Sequence, residues 1–167
     1  MSNKKKVNII WILVPILLLI VLGFWRLVPR PFSKLIPADA AMITEIDAGG
    51  TDIAVEEGNL KMDTYSASLS AKEEGNRAIL ELLEASGYRP DLRNLLPFLL
   101  KGMTTAGGTK NAHLLLKWGS GESCRISVLS DSQVLVSDST GAGSRLYHSV
   151  DKGLIDRLSA LIREYKQ

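Results

Sequence analysis

NAHLLLKWGSGESCRISV, residues 111–128, holds the pattern that decides the fold. Gly119-Ser120-Gly121 suits a three-residue hairpin loop with glycine at a left-handed position, and pairing Trp118 with Glu122 then sets the register. Leu116 faces Cys124, Leu114 faces Ile126 and Ala112 faces Val128, all on one face. The opposite face pairs Lys117 with Ser123, Leu115 with Arg125 and His113 with Ser127. An apolar face separated from a mostly polar one at a period of two residues is what a half-buried antiparallel sheet requires.

The flanking segments supply the partners of this hairpin. Residues 42–48 are expected to form a strand ended by Gly49-Gly50, with 51–56 returning as its hairpin partner and 60–69 as a third strand. Ser70-Ala71-Lys72-Glu73 spells an S-x-x-E capping box, and Ile79, Leu82 and Leu83 follow at helical spacing. A helix over 71–86 is expected, stopped by Gly87. Pro97 interrupts the apolar run 91–102, predicting a short irregular helical turn, and Gly107-Gly108 marks a loop over 103–110. After a turn at Ser130-Asp131-Ser132 come a strand at 133–137, a loop over 138–144 and a final edge strand at 145–148. Leu154, Ile155, Leu158, Leu161, Ile162 and Tyr165 share one helical face, with Asp151 as the cap. The fold class is therefore α+β: a small antiparallel-sheet domain packed with two helices.

Upstream, VNIIWILVPILLLIVLGFW at residues 7–25 is apolar throughout except for Asn8. A helix of 19 residues spans about 28 Å, close to the roughly 30 Å hydrocarbon core of a bilayer. It reads as an N-terminal transmembrane helix, a single-pass signal-anchor whose partner over 7–25 is the lipid bilayer. Pro15 implies a kink that a spanning helix tolerates, and Trp11 and Trp25 suit the two interfaces. Lys4, Lys5 and Lys6 precede the run, while Arg26, Arg30 and Lys34 follow it. The compact lysine triplet places residues 1–6 in the cytoplasm. Pro29, Pro31 and Pro37 make 26–40 an extended spacer, and 41–167 becomes an extracytoplasmic domain. A cleaved signal peptide would have a shorter core and a small-residue cleavage site close behind it, and Ala38-Asp39-Ala40 lies too far downstream. A lipoprotein would need a cysteine just after the core, where none stands.

The chain's net charge of +2 comes from the flanks of that helix. Setting aside Lys4, Lys5, Lys6, Arg26 and Arg30 leaves 15 Lys/Arg against 18 Asp/Glu, so no basic stripe remains for nucleic acid. One cysteine means no internal disulfide, and about 125 residues beyond the spacer are enough for one packed core.

No catalytic, cofactor-binding or metal-ligating residue stands out. Cys124 points to the apolar face of the hairpin and His113 to the other, which separates a thiol from a base and makes Cys124 a small core residue. His113 and His148 show no i, i+4 pairing and no H-E-x-x-H. Glu56-Glu57, Glu73-Glu74 and Asp47 with Asp52 are acidic neighbours, explained by strand ends and a helix N-terminus. The stretch 137–144 is glycine- and hydroxyl-rich but lacks the Gly-Lys-Ser/Thr ending of a phosphate loop, and no G-x-S-x-G elbow occurs.

Ile43-Thr44-Glu45-Ile46 with Gly49-Gly50, the helix around Ile79-Leu80-Glu81-Leu82-Leu83, the strand 112–118 and Leu146-Tyr147-His148 ahead of the terminal helix occur in a suggestive order. In that order the chain resembles small extracytoplasmic domains of unknown function from Gram-positive bacteria, carried behind an anchor helix or a lipoprotein signal. The resemblance implies an α+β fold at the cell envelope and supplies no activity. The expected function is ligand sensing or protein interaction outside the membrane. The rival is a membrane-anchored hydrolase of envelope substrates built on His113 or His148. A third possibility, an assembly subunit whose apolar helix pairs laterally, lacks a small-xxx-small pattern because Gly23 stands alone.

Overall fold

Period-two alternation along seven segments builds one antiparallel sheet in the computed structural model, which describes residues 9–95, 109–129, 132–138 and 143–166, with side chains from residue 13. The strands are β1 (Ile43–Glu56), β2 (Asn59–Ser70), β3 (Tyr88–Pro90), β4 (Lys110–Trp118), β5 (Ser123–Leu129), β6 (Gln133–Asp138) and β7 (Ser144–Ser149), in the spatial order β2-β1-β4-β5-β6-β7-β3. Three helices complete the fold: α1 (Ile9–Leu27), α2 (Glu74–Ser86) and α3 (Leu154–Glu164). Helices α2 and α3 pack on each other and cover one face of the sheet.

The β4–β5 hairpin has the register read from its sequence. Leu116 pairs with Cys124, Leu114 with Ile126 and Ala112 with Val128. The Trp118 amide donates to the Glu122 carbonyl at 3.1 Å, and Gly121 takes φ +87° in the loop. All six residues of that face are buried in the core with Ile46, Ile79, Leu83, Leu154, Leu158 and Ile162. Cys124 is fully buried there.

Gly49-Gly50 is not a turn. β1 continues through it for 14 residues and turns at Glu57-Gly58, both at positive φ (53° and 81°), as a two-residue hairpin demands. The glycines serve close packing instead. A Cβ on Gly50 would lie 2.6 Å from the Asn111 carbonyl and inside the Tyr65 ring, while one on Gly49 would lie 2.9 Å from His113 Nε2. Tyr65, paired across from Gly50, folds over it and bonds Ser159 of α3 at 2.5 Å.

α2 begins three residues later than its capping box suggests. Ser70 is the last residue of β2, and its amide donates to Glu73 Oε2 at 2.6 Å, so half of the box ties strand end to helix start. Gly87, at φ +62°, ends the helix as expected. α3 begins at Leu154 with Gly153, not Asp151, at its N-cap; Asp151, two residues earlier, accepts the Gly153 amide at 2.9 Å and pairs with Arg157.

β7 is not an edge strand. β3 pairs alongside it, and beyond Pro90 the Asn94 side chain continues the pairing, donating to the Leu146 carbonyl (2.7 Å) and accepting its amide (2.8 Å). Within the expected irregular turn, 92–95 forms a 3-10 turn and 96–102 lies outside the described residues. Most of the expected loops over 103–110 and 138–144, with Ser130 and Asp131, lies outside them too.

The segment 26–40 is not an extended spacer. Phe32, Leu35 and Ile36 are buried in the core, and Arg30 exchanges two backbone bonds with Tyr88 at 2.7 and 2.9 Å. Trp118 Nε1 donates to the Asp39 carbonyl at 2.9 Å. The helix stops before Pro29, and the apolar residues between Pro31 and Pro37 pack into the core.

As for the expected span, Val7 and Asn8 lie outside the described residues and the helix runs 9–27. Among the described residues, no helix is long and apolar enough to cross a membrane.

Candidate functional site

On its central strands the face of the sheet opposite α2 and α3 carries mostly polar residues, and between β2 and β5 it is hollowed into a shallow groove of about 500 Å³. Asp47, Ser66, Ser68, His113, Leu115 and Arg125 line it. Register explains their meeting. Ser68, Asp47, Leu115 and Arg125 form one row across β2-β1-β4-β5, and Ser66, Gly49, His113 and Ser127 form the next. Because Gly49 has no side chain, the His113 ring occupies the space its Cβ would take, and the row becomes a depression.

The acidic side of the groove is internally satisfied. Asp47 accepts from Lys117 Nζ (2.6 Å) and Ser68 Oγ (2.6 Å), and these two bonds hold its carboxyl below the ordinary range. Lys117 also bonds Glu45 at 3.0 Å. The basic side differs. Arg125 is exposed and forms no ion pair among the described residues. His113 is pushed below its usual range, first by burial of the ring against the sheet and then by the Arg125 charge. The groove thus presents a neutral imidazole, a guanidinium and the Ser66 hydroxyl around the apolar Leu115. That set can orient a polar or carboxylate-bearing group above a small apolar contact.

His148 lies on the same open face, but two strands separate its strand from that of His113, so they are at least about 14 Å apart at ~4.8 Å per strand. The two histidines do not converge. His148 Nε2 bonds Asp91 Oδ2 at 2.7 Å, a pairing that sequence spacing did not suggest. Asp91 also accepts from the Arg93 amide (2.7 Å) and twice from the Arg93 guanidinium (3.0 Å each). Burial opposes its ionisation, yet these bonds keep its carboxyl well below the normal range. Asp91 therefore shapes the turn after β3 and is fully engaged.

The remaining candidates separate likewise. Cys124 is fully buried, and burial pushes its thiol up to about 11, so it stays protonated at neutral pH, the form opposite to a thiolate nucleophile. Asp47 and Asp52 fall on opposite faces of β1, and Asp52 pairs with Arg163 at 2.6 Å. Glu56 pairs with Lys61 at 3.2 Å. Among the described residues, no group of three or more His, Cys, Asp or Glu side chains is placed to hold a metal ion. Only Leu115 facing Arg125 and His113 facing Ser127 were legible beforehand. Reading Gly49-Gly50 as a turn hid Asp47, Ser66 and Ser68 from the same surface. Comparison of the chain with protein-family models, curated proteins and solved structures finds no match.

Proposed function

We propose that this chain is a single-pass membrane protein whose N-terminus lies in the cytoplasm and whose α+β domain is presented outside, binding a ligand or protein partner on its open sheet face. The observation that carries the proposal is the apolar run 7–25 of the sequence, most of which folds as α1; the described part of that helix, with one charged residue, Arg26, is by itself too short or too little apolar to span. Its described apolar side chains, including Leu13, Leu17, Leu18, Leu19, Ile20, Val21 and Phe24, are exposed on every side of the helix. A helix apolar all round needs either a protein core or a lipid environment, and the domain core is already filled by α2 and α3. The groove around His113 and Arg125 supports the binding reading, because Arg125 is exposed and forms no ion pair among the described residues.

Two measurements test this. Alkaline phosphatase fused at the C-terminus is active and membrane-associated if the orientation is right; activity of a cytosolic reporter at the same position refutes it. With the full chain in detergent as bait, Arg125→Glu and His113→Ala abolish capture of the specific partner, whereas Lys152→Glu, distant from the groove, does not. Equal capture by all variants removes the groove from the proposal.

A further inference from the structure

The two edges of the sheet are treated differently. At one end β3 is short and already paired with Arg30 and β7. At the other, β2 is an outer strand of 12 residues, with no neighbour on its far side among the described residues. Its first half belongs to an arm. β4 pairs with β1 as far as Lys110 opposite Asp52, and the Thr109 carbonyl still accepts the Ile53 amide at 2.6 Å; among the described residues, the β1–β2 hairpin projects beyond that point. On the open face of this arm Ile53 pairs with Met62 and Val55 with Leu60. Val55, Leu60 and Met62 are 72, 77 and 67% exposed. A bare edge beside an exposed apolar cluster is a surface that natural sheets avoid unless something covers it.

We propose that a second copy of this chain covers it, by antiparallel pairing of β2 with β2 about a two-fold axis through Met62. Hydrogen-bond geometry restricts the register first. The two-residue turn makes Glu56 and Asn59 a bonded pair, so Asn59, Lys61 and Asp63 bond inward to β1. Leu60, Met62 and Thr64 turn their amides and carbonyls to the free edge and must pair with one another. Charge then selects among the allowed registers. With Met62 opposite the partner's Met62, Leu60 faces the partner's Thr64 and Lys61 faces the partner's Asp63, twice by symmetry. Sliding to the next allowed register in one direction sets Lys61 against the partner's Lys61; sliding the other way sets Asp63 against the partner's Asp63. Like charges directly opposite are unfavourable in both.

Asp63 also shares its cation with a second carboxylate. Arg163 serves two carboxylates, Asp52 at 2.6 Å and Asp63 at 2.9 Å, which face each other across β1 and β2. The partner's Lys61 arrives on this side of the sheet and gives Asp63 a second cation beside Arg163. Lys61 exchanges an exposed partner, Glu56, whose loss costs little. On the other side Met62 and Leu60 of both copies form one apolar cluster with Ile53 and Val55.

Single-cysteine variants of the full chain in detergent, oxidised mildly, read the register. Directly opposed bonded residues have Cα atoms about 5.5 Å apart, within disulfide reach. Met62→Cys forms a disulfide-linked dimer. Leu60→Cys and Thr64→Cys do not cross-link singly, but do so when mixed. The charge test is independent: Lys61→Asp and Asp63→Lys each weaken the dimer by roughly tenfold, and an equimolar mixture of the two restores it as a heterodimer. Failure of Met62→Cys to cross-link, or Leu60→Cys cross-linking alone as readily, overturns the proposal. So does a wild-type chain that stays monomeric by light scattering. These outcomes are separable from the anchor reading, since each concerns β2 and none the topology of α1.

Discussion

His113 shows how one residue's setting becomes a property of the whole chain. Its ring rests on Gly49 with Arg125 diagonally across the strand pair, so the folded state favours the neutral imidazole. The unfolded chain takes up that proton near the ordinary value of 6.5. Below that pH the unfolded state therefore binds more protons, and stability falls as pH is lowered through it. The expected result is a lower urea midpoint at pH 5.5 than at pH 7.5, a difference that His113→Gln reduces. Arg125→Gln moves the His113 titration, followed by NMR, upward. The depressed carboxyls of Asp47 and Asp91 do not mask this effect. Their stabilisation is complete above the ordinary carboxyl value of 3.8 and is lost only at more acid pH.

At the scale of an element, β1 rests on two residues that conventional reading assigns to a turn. Glycine weakens a strand unless another group needs its space, and here Tyr65 and His113 need it on opposite faces. Gly50→Ala is expected to destabilise the domain by about 1–3 kcal/mol, the usual cost of overpacking, because Tyr65 must leave Ser159 or Asn111 must move. Chemical denaturation measures this. A loss within error would mean that the Tyr65 ring is not seated over Gly50. Elements with both local and cross-strand signals, such as the 111–128 hairpin and α3, were legible in the sequence, the hairpin in its register and the helix in its apolar face, though not in its cap. β3 was not, since three residues with a proline carry no periodicity and gain their partner only when β7 is in place.

For the molecule as a whole, the boundary between α1 and the sheet domain lies earlier than composition suggests. Phe32 is 1% exposed and meets the Tyr88 ring with centroids 6.2 Å apart. Phe32→Ala is expected to cost about 3–5 kcal/mol, the range for a deleted core aromatic. Calorimetry of the full chain would show a correspondingly lower transition; an unchanged one would return 26–40 to the role of a loose tether. The same integration gives α1 a short, fixed attachment at Arg30, one residue beyond Pro29 and paired to β3.

By itself the sequence determined the α+β class, the face and register of the central hairpin, the terminal helix and the buried place of Cys124. Each follows from a repeat of two or 3.6 residues, which local geometry enforces. Only the tertiary structure decided which strand lies at an edge, that Gly49-Gly50 lies within a strand, that Phe32 belongs to the core, and that Asp47, Ser66, His113 and Arg125 share one groove. Those facts depend on contacts between segments far apart in the chain, and a glycine or proline carries the same local signal whether it makes a turn or makes room for a ring.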